Sequence, residues 1–328
     1  MRSTSPLLAG PAALLLVLLV ACSSGDDVAG ASAPSAGAAD LAGLDLSEHE
    51  VVLTSGTGRE QADLWLTKAD GTDPVQLTDA PGLEFLAAWS PDGARLAYTA
   101  AATQDSPSDL FVLDLDDGGT QQVTSTPDRC ESAPTWTPDG EELVYASRSC
   151  AEGDEGIFAI SLGGGEEREL VASGSWPDVG PDGRLLYSTP VPGQPWHVQR
   201  VWVSEPDGSR PRDVTPRGFA SASEATWSPD GSRIAFVVAT GDPDAELVEA
   251  WNEDIHVMDA DGSNPRRVTT TPGNDHWPPS WSPDGRRLVY SADGLGATGE
   301  VAAVDLESLE VSLLTDDDDH DLFPAWRP

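Results

Sequence analysis

Lysine is almost missing from this chain. Lys68 is the only one in 328 residues, and Lys and Arg together number 18 against 56 Asp and Glu, a formal charge of −38. Such a surface repels nucleic acid and anionic membranes and would steer cations or basic partners toward itself; its plainest reading is the solvated acidic exterior of an exported protein. Also missing is any Gly-x-Ser-x-Gly elbow, and the repeats described next leave no segment that could house an α/β-hydrolase domain, so a serine hydrolase is excluded.

What is present is a repeat. Trp89-Ser90-Pro91-Asp92-Gly93 returns as Trp136 to Gly140, Val179-Gly180-Pro181-Asp182-Gly183, Trp227 to Gly231, Trp281 to Gly285 and a last Trp326-Arg327-Pro328, at steps of 47, 43, 48, 54 and 45 residues. Each copy has the chemistry of a tight turn: Pro presets φ, Asp can bond its own backbone, and Gly accepts the left-handed exit. A short apolar run follows each full copy, such as Leu96-Ala97-Tyr98 and Leu288-Val289-Tyr290, as in a strand covered on both faces. Midway between corners lie hairpin signals, among them Asp70-Gly71, Asp117-Gly118, Asp207-Gly208 and Asp261-Gly262, each between two further strands.

Each unit therefore has four strands, and a period in the mid-forties suits a propeller blade. The array begins at Val51-Val52-Leu53-Thr54, a second strand with no first, and stops at Trp326, a first strand with no second. Joining the two completes an all-β, six-bladed β-propeller over 47–328, with no open sheet edge at the join.

The Trp-Ser-Pro-Asp-Gly corners, Leu-Ala-Tyr strands and Asp-Gly hairpins resemble the PD40 repeats of TolB-like β-propellers, from about Glu50 to Pro328. The Val179-Gly180 corner departs from that pattern, with Trp176 the candidate to fill the space. The resemblance implies a non-catalytic scaffold for an envelope protein, basic peptide or glycan. Similar blades also occur in gating propellers of peptidases and in metal-dependent lyases, so a lyase or lactonase is the alternative.

Residues 1–22 read as a targeting segment: Arg2, an apolar run from Ala12 to Val20, then Leu19-Val20-Ala21-Cys22, which looks like a bacterial lipobox with Cys22 as the lipidated residue. Acyl chains there would hold the protein on the outer side of the cell membrane. Residues 23–46 read as a flexible tether. In that oxidising space the remaining cysteines, Cys130 and Cys150, are expected in loops on one face of one blade, joined as a disulfide.

Counting five residues back from each corner puts Glu84, Glu131, His276 and Asp321 at one channel mouth, with Glu224, Asp275 and His320 near them. Such a rim would bind a cation or basic peptide, against the plainer reading of a hydrated acidic edge. No cofactor motif is present, so none is expected; Ca2+ or another divalent cation is the candidate ion, and Asp275, His276, His320 and Asp321 the candidate ligands. Trp251, in the longest inter-strand loop, is either a recognition anchor or a plug. His256, where other units carry Trp65, Phe111, Phe158 and Trp202, is expected to be packed in the core.

Overall fold

Each repeat folds as one four-stranded antiparallel blade, and six such sheets form the fold. The computed structural model describes residues 41, 44–56, 61–149, 155–240, 252–270, 276–293, 299–317 and 319–328. The targeting segment with Cys22, most of the tether, Cys150, Trp251 and Asp275 lie outside the described residues. Among the described residues, twenty-four strands run from β1 (Val51–Gly56) through β2 (Asp63–Thr67) and β3 (Val75–Gln76) onward. Five sheets take four successive strands each, beginning with the inner strands β4 (Leu83–Trp89), β8 (Arg129–Trp136), β12 (Ser175–Val179), β16 (Ser223–Trp227) and β20 (His276–Trp281). The sixth sheet takes its inner strand from the other end of the chain, in the order β24 (His320–Trp326), β1, β2, β3. There Val51 stands opposite Trp326 and Val52 opposite Ala325.

The corners form as their residues dictate. In the first, Gly93 N donates to Ser90 O at 2.8 Å, Ser90 Oγ to Asp92 Oδ1 at 2.6 Å, and Ala94 N to the same carboxylate oxygen at 3.1 Å. The same bonds recur around Asp230, whose pKa they hold down at about 2. The threonines that end the outer strands also have a purpose. Thr78, Thr124, Thr215, Thr269 and Thr315 each accept a bond through Oγ1 from a backbone N–H at the start of the third strand.

Adjacent blades are joined by the corner tryptophans. Trp136 Nε1 donates to Ala88 O at 3.0 Å and Trp281 Nε1 to Thr226 O at 3.2 Å, each reaching the preceding inner strand. Over each corner ring lies an arginine from that preceding blade: Arg95 on Trp136, Arg184 on Trp227, Arg233 on Trp281 and Arg287 on Trp326, at 4.6 to 4.7 Å from the ring centroids. Arg327, from the far end of the chain, covers Trp89 at 5.0 Å. The one departure is double, because the repeat holding Glu142 in the arginine position precedes the one holding Val179 in the tryptophan position. Trp176 does not fill that place. It sits in the channel wall with a left-handed backbone (φ 50°), and Val179 packs beside the cluster of Val144, Ile157 and Tyr187.

Arg233 also donates to Gly285 O at 2.7 Å. Removing a stacked cation and a hydrogen bond together should cost about 2 kcal/mol. Arg233→Ala is thus expected to lower the urea midpoint with an unchanged m-value, and Arg233→Lys to recover less than half, because an ammonium cannot stack as a planar fork. Equal midpoints for Arg233→Ala and the parent chain would show that the stack contributes nothing.

Two boundaries differ from expectation. Leu41, placed by its sequence in the tether, is buried with Val52, Leu64 and Leu66, and Leu46 packs against the same cluster, so the ordered fold takes in residues that composition alone marks as linker. Cys130 is not in a loop but is buried as the second residue of β8, opposite Arg148, because the inner strand begins before it. His256 is buried against Phe219 and Phe236, and burial lowers its pKa.

Candidate functional site

All six inner strands carry the same irregularity. Between Phe85 and Ala88 the inner strand takes three steps while its partner, from Thr99 to Ala97, takes two. The same extra residue recurs in β8, β12, β16, β20 and β24. A bulge of this kind bends the strand and re-aims a side chain. Here the residue three before each corner takes it up: Leu86, Ala133, Trp176, Glu224 and Phe323 all have φ between 48° and 54°. Pro278 holds the sixth place, where its ring keeps φ negative.

These six residues line a cavity of about 650 Å3 on the channel axis, which extends to the corner prolines Pro91, Pro138, Pro181, Pro229, Pro283 and Pro328. Its wall is largely proline, alanine and aromatic carbon. Among the described residues of that wall, Glu224 and Asp178 are the charged ones. Asp178 is committed to the frame, accepting from Trp227 N at 2.7 Å and Thr135 Oγ1 at 3.3 Å, while burial raises its pKa to about 6.

The expected acidic rim is not a rim. Glu84, Glu131 and Asp321 do lie near the starts of the inner strands, but they are 2 %, 0 % and 2 % exposed and take no part in the cavity wall. They turn sideways into the seams between blades. Glu131 accepts from Thr124 Oγ1 at 2.9 Å and from Thr126 Oγ1, both on the preceding blade, with Asp109 close by. Glu84 lies beside Thr78, Asp63 and Asp79, and Asp321 beside Ser55 and Thr315. Thr315 Oγ1 also bonds Glu300 Oε2, at 2.9 Å. Desolvation raises these pKa values to about 8 for Glu84, 7 for Glu131 and 6 for Asp321. The reason is local. A carboxylate there meets the threonine that closes the preceding blade, so it turns into the seam.

Of the remaining candidates whose side chains are described, Glu224 lines the cavity, through the bulge and not through the mouth loops. His276 opens β20 opposite Ala292, and its side chain is outside the described residues. His320 is half-buried and precedes Asp321 on one strand, where successive side chains point to opposite faces, so the two do not converge on one ion. Among the described residues, no three His, Cys, Asp or Glu side chains are arranged to hold a metal. Sequence reasoning missed the six-residue ring and the arginine stacks. The arginines had a partial signal, since Arg95, Arg233 and Arg287 each stand two residues after a corner glycine and Arg184 one after Gly183, whereas the ring residues share no residue type.

The profile of the TolB beta propeller domain (PD40) matches residues 50–246. The Tol-Pal system protein TolB of Anaeromyxobacter dehalogenans is 34% identical over 117 residues, 35% of this chain and 22% of that protein, so the match spans about a fifth of the relative's length. Among solved structures, TolB from Acinetobacter baumannii superposes with a TM-score of 0.70 at 19% identity, covering 87% of this chain and 68% of that one. An oligogalacturonate lyase in complex with manganese superposes at 0.55 and 17% identity, covering 80% and 73%. At such identities these two likenesses speak for the fold alone.

Proposed function

The chain belongs to the TolB β-propeller domain family, and from that premise we propose that it is a non-catalytic binding propeller of the cell envelope, anchored outside the cytoplasm through lipid on Cys22. Its partner is an envelope protein, peptide or other ligand that enters the channel from the corner face. The observation that carries this reading is the axial cavity of about 650 Å3, within the size range of ligand sites and walled by apolar groups with few polar ones. In the same oxidising space Cys130 would pair with Cys150. A metal-dependent lyase or lactonase has less support, because a shared fold does not carry an activity.

Crosslinking on intact cells followed by purification of this chain should recover one reproducible partner. Ala133→Trp should reduce that recovery at least tenfold, because it fills the cavity at a backbone position where Trp176 is already tolerated in the neighbouring blade. Recovery unaffected by the blocked channel would move the working surface elsewhere. Cys22→Ser should shift the protein from the membrane fraction to the soluble one; no shift would end the lipid-anchor reading.

A further inference from the structure

The outermost strand of each blade has one edge that no strand of its own sheet covers. In five blades the residues there are polar or proline, and in the blade that begins with β20 they are not. By their pairing with the third strand, Gln76, Gln122, Glu169, Asp213 and Arg267 correspond to Leu313. Two residues earlier, Pro74, Thr120, Glu167, Pro211 and Pro265 correspond to Val311. Charge and proline on an edge keep it from pairing with another chain, so β23 (Val311–Leu313) is the outer strand that lacks this protection.

The apolar groups of that edge are on display. Val311 and Leu313 are each 39% exposed and Leu309, in the hairpin before them, 43%; among the described residues these are three of the five large hydrophobic side chains left exposed. Leu309 also holds a left-handed backbone at φ 59°, a conformation in which leucine is strained. The ladder fixes where the main chain points. Leu314 N donates to Val301 O at 2.8 Å and Asp305 N to Glu310 O at 3.0 Å. Ser312 therefore turns its N–H and C=O toward β22 (Gly299–Asp305), while those of Val311 and Leu313 point outward from the sheet.

We infer that the outer edge of β23 is a second docking surface, and that it takes an extended polypeptide segment with two apolar residues, separated by one other, between basic flanks. The segment adds as a fifth, antiparallel strand, its apolar pair opposite Val311 and Leu313 and exchanging main-chain bonds with them. Charge selects the flanks: Glu307 and Glu310 lie exposed before β23 and Asp316 and Asp317 after it, with Arg266 bonded to Leu306 O at 3.0 Å beside the first pair. A second copy is opposed by the same charge, since pairing β23 with itself joins two chains of −38. No residue of β23 lines the axial cavity, so this surface stands apart from the channel reading.

The test titrates the peptide acetyl-Lys-Lys-Val-Thr-Val-Lys-Lys-amide into the purified full-length chain by calorimetry at low salt. Val311→Pro installs what three other blades already carry at this place and removes no bond to β22, and Leu313→Gln copies two others, so both variants should keep the parent's unfolding midpoint. Val311→Pro should weaken the peptide about tenfold or more, and N-methylation of both its valines should do the same, because each removes outward main-chain bonds without changing charge. Leu313→Gln should weaken it by about threefold. Ala133→Trp, which fills the axial cavity, should leave it unchanged, and replacing the peptide's lysines with glutamates should abolish binding. An affinity indifferent to Val311→Pro or to N-methylation would reduce the attraction to diffuse charge and overturn the edge site, as would no binding by the folded parent chain. Loss of binding in Ala133→Trp would move the peptide to the channel, and equal binding of the glutamate peptide would overturn the basic assignment. Self-association in sedimentation that Val311→Pro abolishes would give the edge to a second copy instead.

Discussion

Raising the pH from about 5.5 to about 8.5 will lower the thermal unfolding midpoint by roughly 5–10 °C. The cause lies in the seams. Glu84 faces Asp63 and Asp79 of the preceding blade and the Tyr98 ring of its own; Glu131 faces Asp109 and the two threonine hydroxyls; Asp321 has Asp317 and Asp319 near it and Glu300 across Thr315. Among the described residues, no cation is paired with Glu84, Glu131 or Asp321. Each acid is therefore easier to keep neutral than to ionise, and its pKa is higher in the folded chain than in the unfolded one. For such a group the folded state holds the proton that the unfolded state has released. Stability is then full below the ordinary carboxylate value of 4.5 and lost as pH rises through about 7 for Glu131 and about 8 for Glu84. One pKa unit is about 1.4 kcal/mol, so even strongly discounted shifts leave a few kcal/mol across the window.

Exposed carboxylates are already ionised at both ends of that range and add little to the slope. Glu84→Gln, which mimics the protonated acid, should match the parent chain near pH 5.5 and exceed it near pH 8.5. A midpoint that holds level or climbs with pH, or a slope that Glu84→Gln leaves intact, would mean that the seams are not where protons are held.

Gly71→Ala should be among the most damaging single-methyl changes available in this chain. Gly71 forms the hairpin between β2 and β3 at φ 81°, and an added Cβ would stand 1.8 Å from the backbone oxygen of Leu314 on the preceding blade. Neither atom can rotate away, because both belong to main chain held by hydrogen bonds, Gly71 N to Lys68 O and Leu314 N to Val301 O. The blades would have to part, at a cost of about 3–5 kcal/mol. Gly164 supplies the control. It has a similar φ, 89°, but nothing within 4 Å of its added Cβ, so Gly164→Ala should cost only the backbone term, about 1 kcal/mol. Chemical denaturation of the two variants side by side decides the matter: equal losses would show that the blade contact is soft and that only the dihedral counts.

The frame of this molecule is legible from its residues because turn chemistry is local. Pro, Asp and Gly at a corner, or Asp-Gly at a hairpin, act within a few residues of themselves, and their spacing alone yields blades, strand number and the pairing of β1 with β24. What was not legible depends on a neighbouring blade. Arg233 and Trp281 lie in different repeats, and nothing near either names the other. Glu84, Glu131 and Asp321 are acids in a very acidic chain, and only the threonine reached from the next blade separates a buried seam from a hydrated edge. The bulge is hidden for another reason: Leu86, Trp176 and Glu224 have little in common as residues, and crowding of six strands about one axis imposes the conformation they share.

The pairing of β1 with β24 also sets an order of events during synthesis. As the chain emerges from its N-terminus, β1 and β2 can form a hairpin at once, but the other edge of β1 has to wait for nearly the whole array to be made before its partner exists. Through that interval the nascent protein carries a raw, adhesive border that could recruit any stray extended segment. Helpers that shield unfinished β-structure should accordingly act on this protein late in translation or during its passage to its destination, and their need should end when Trp326 docks beside Val51.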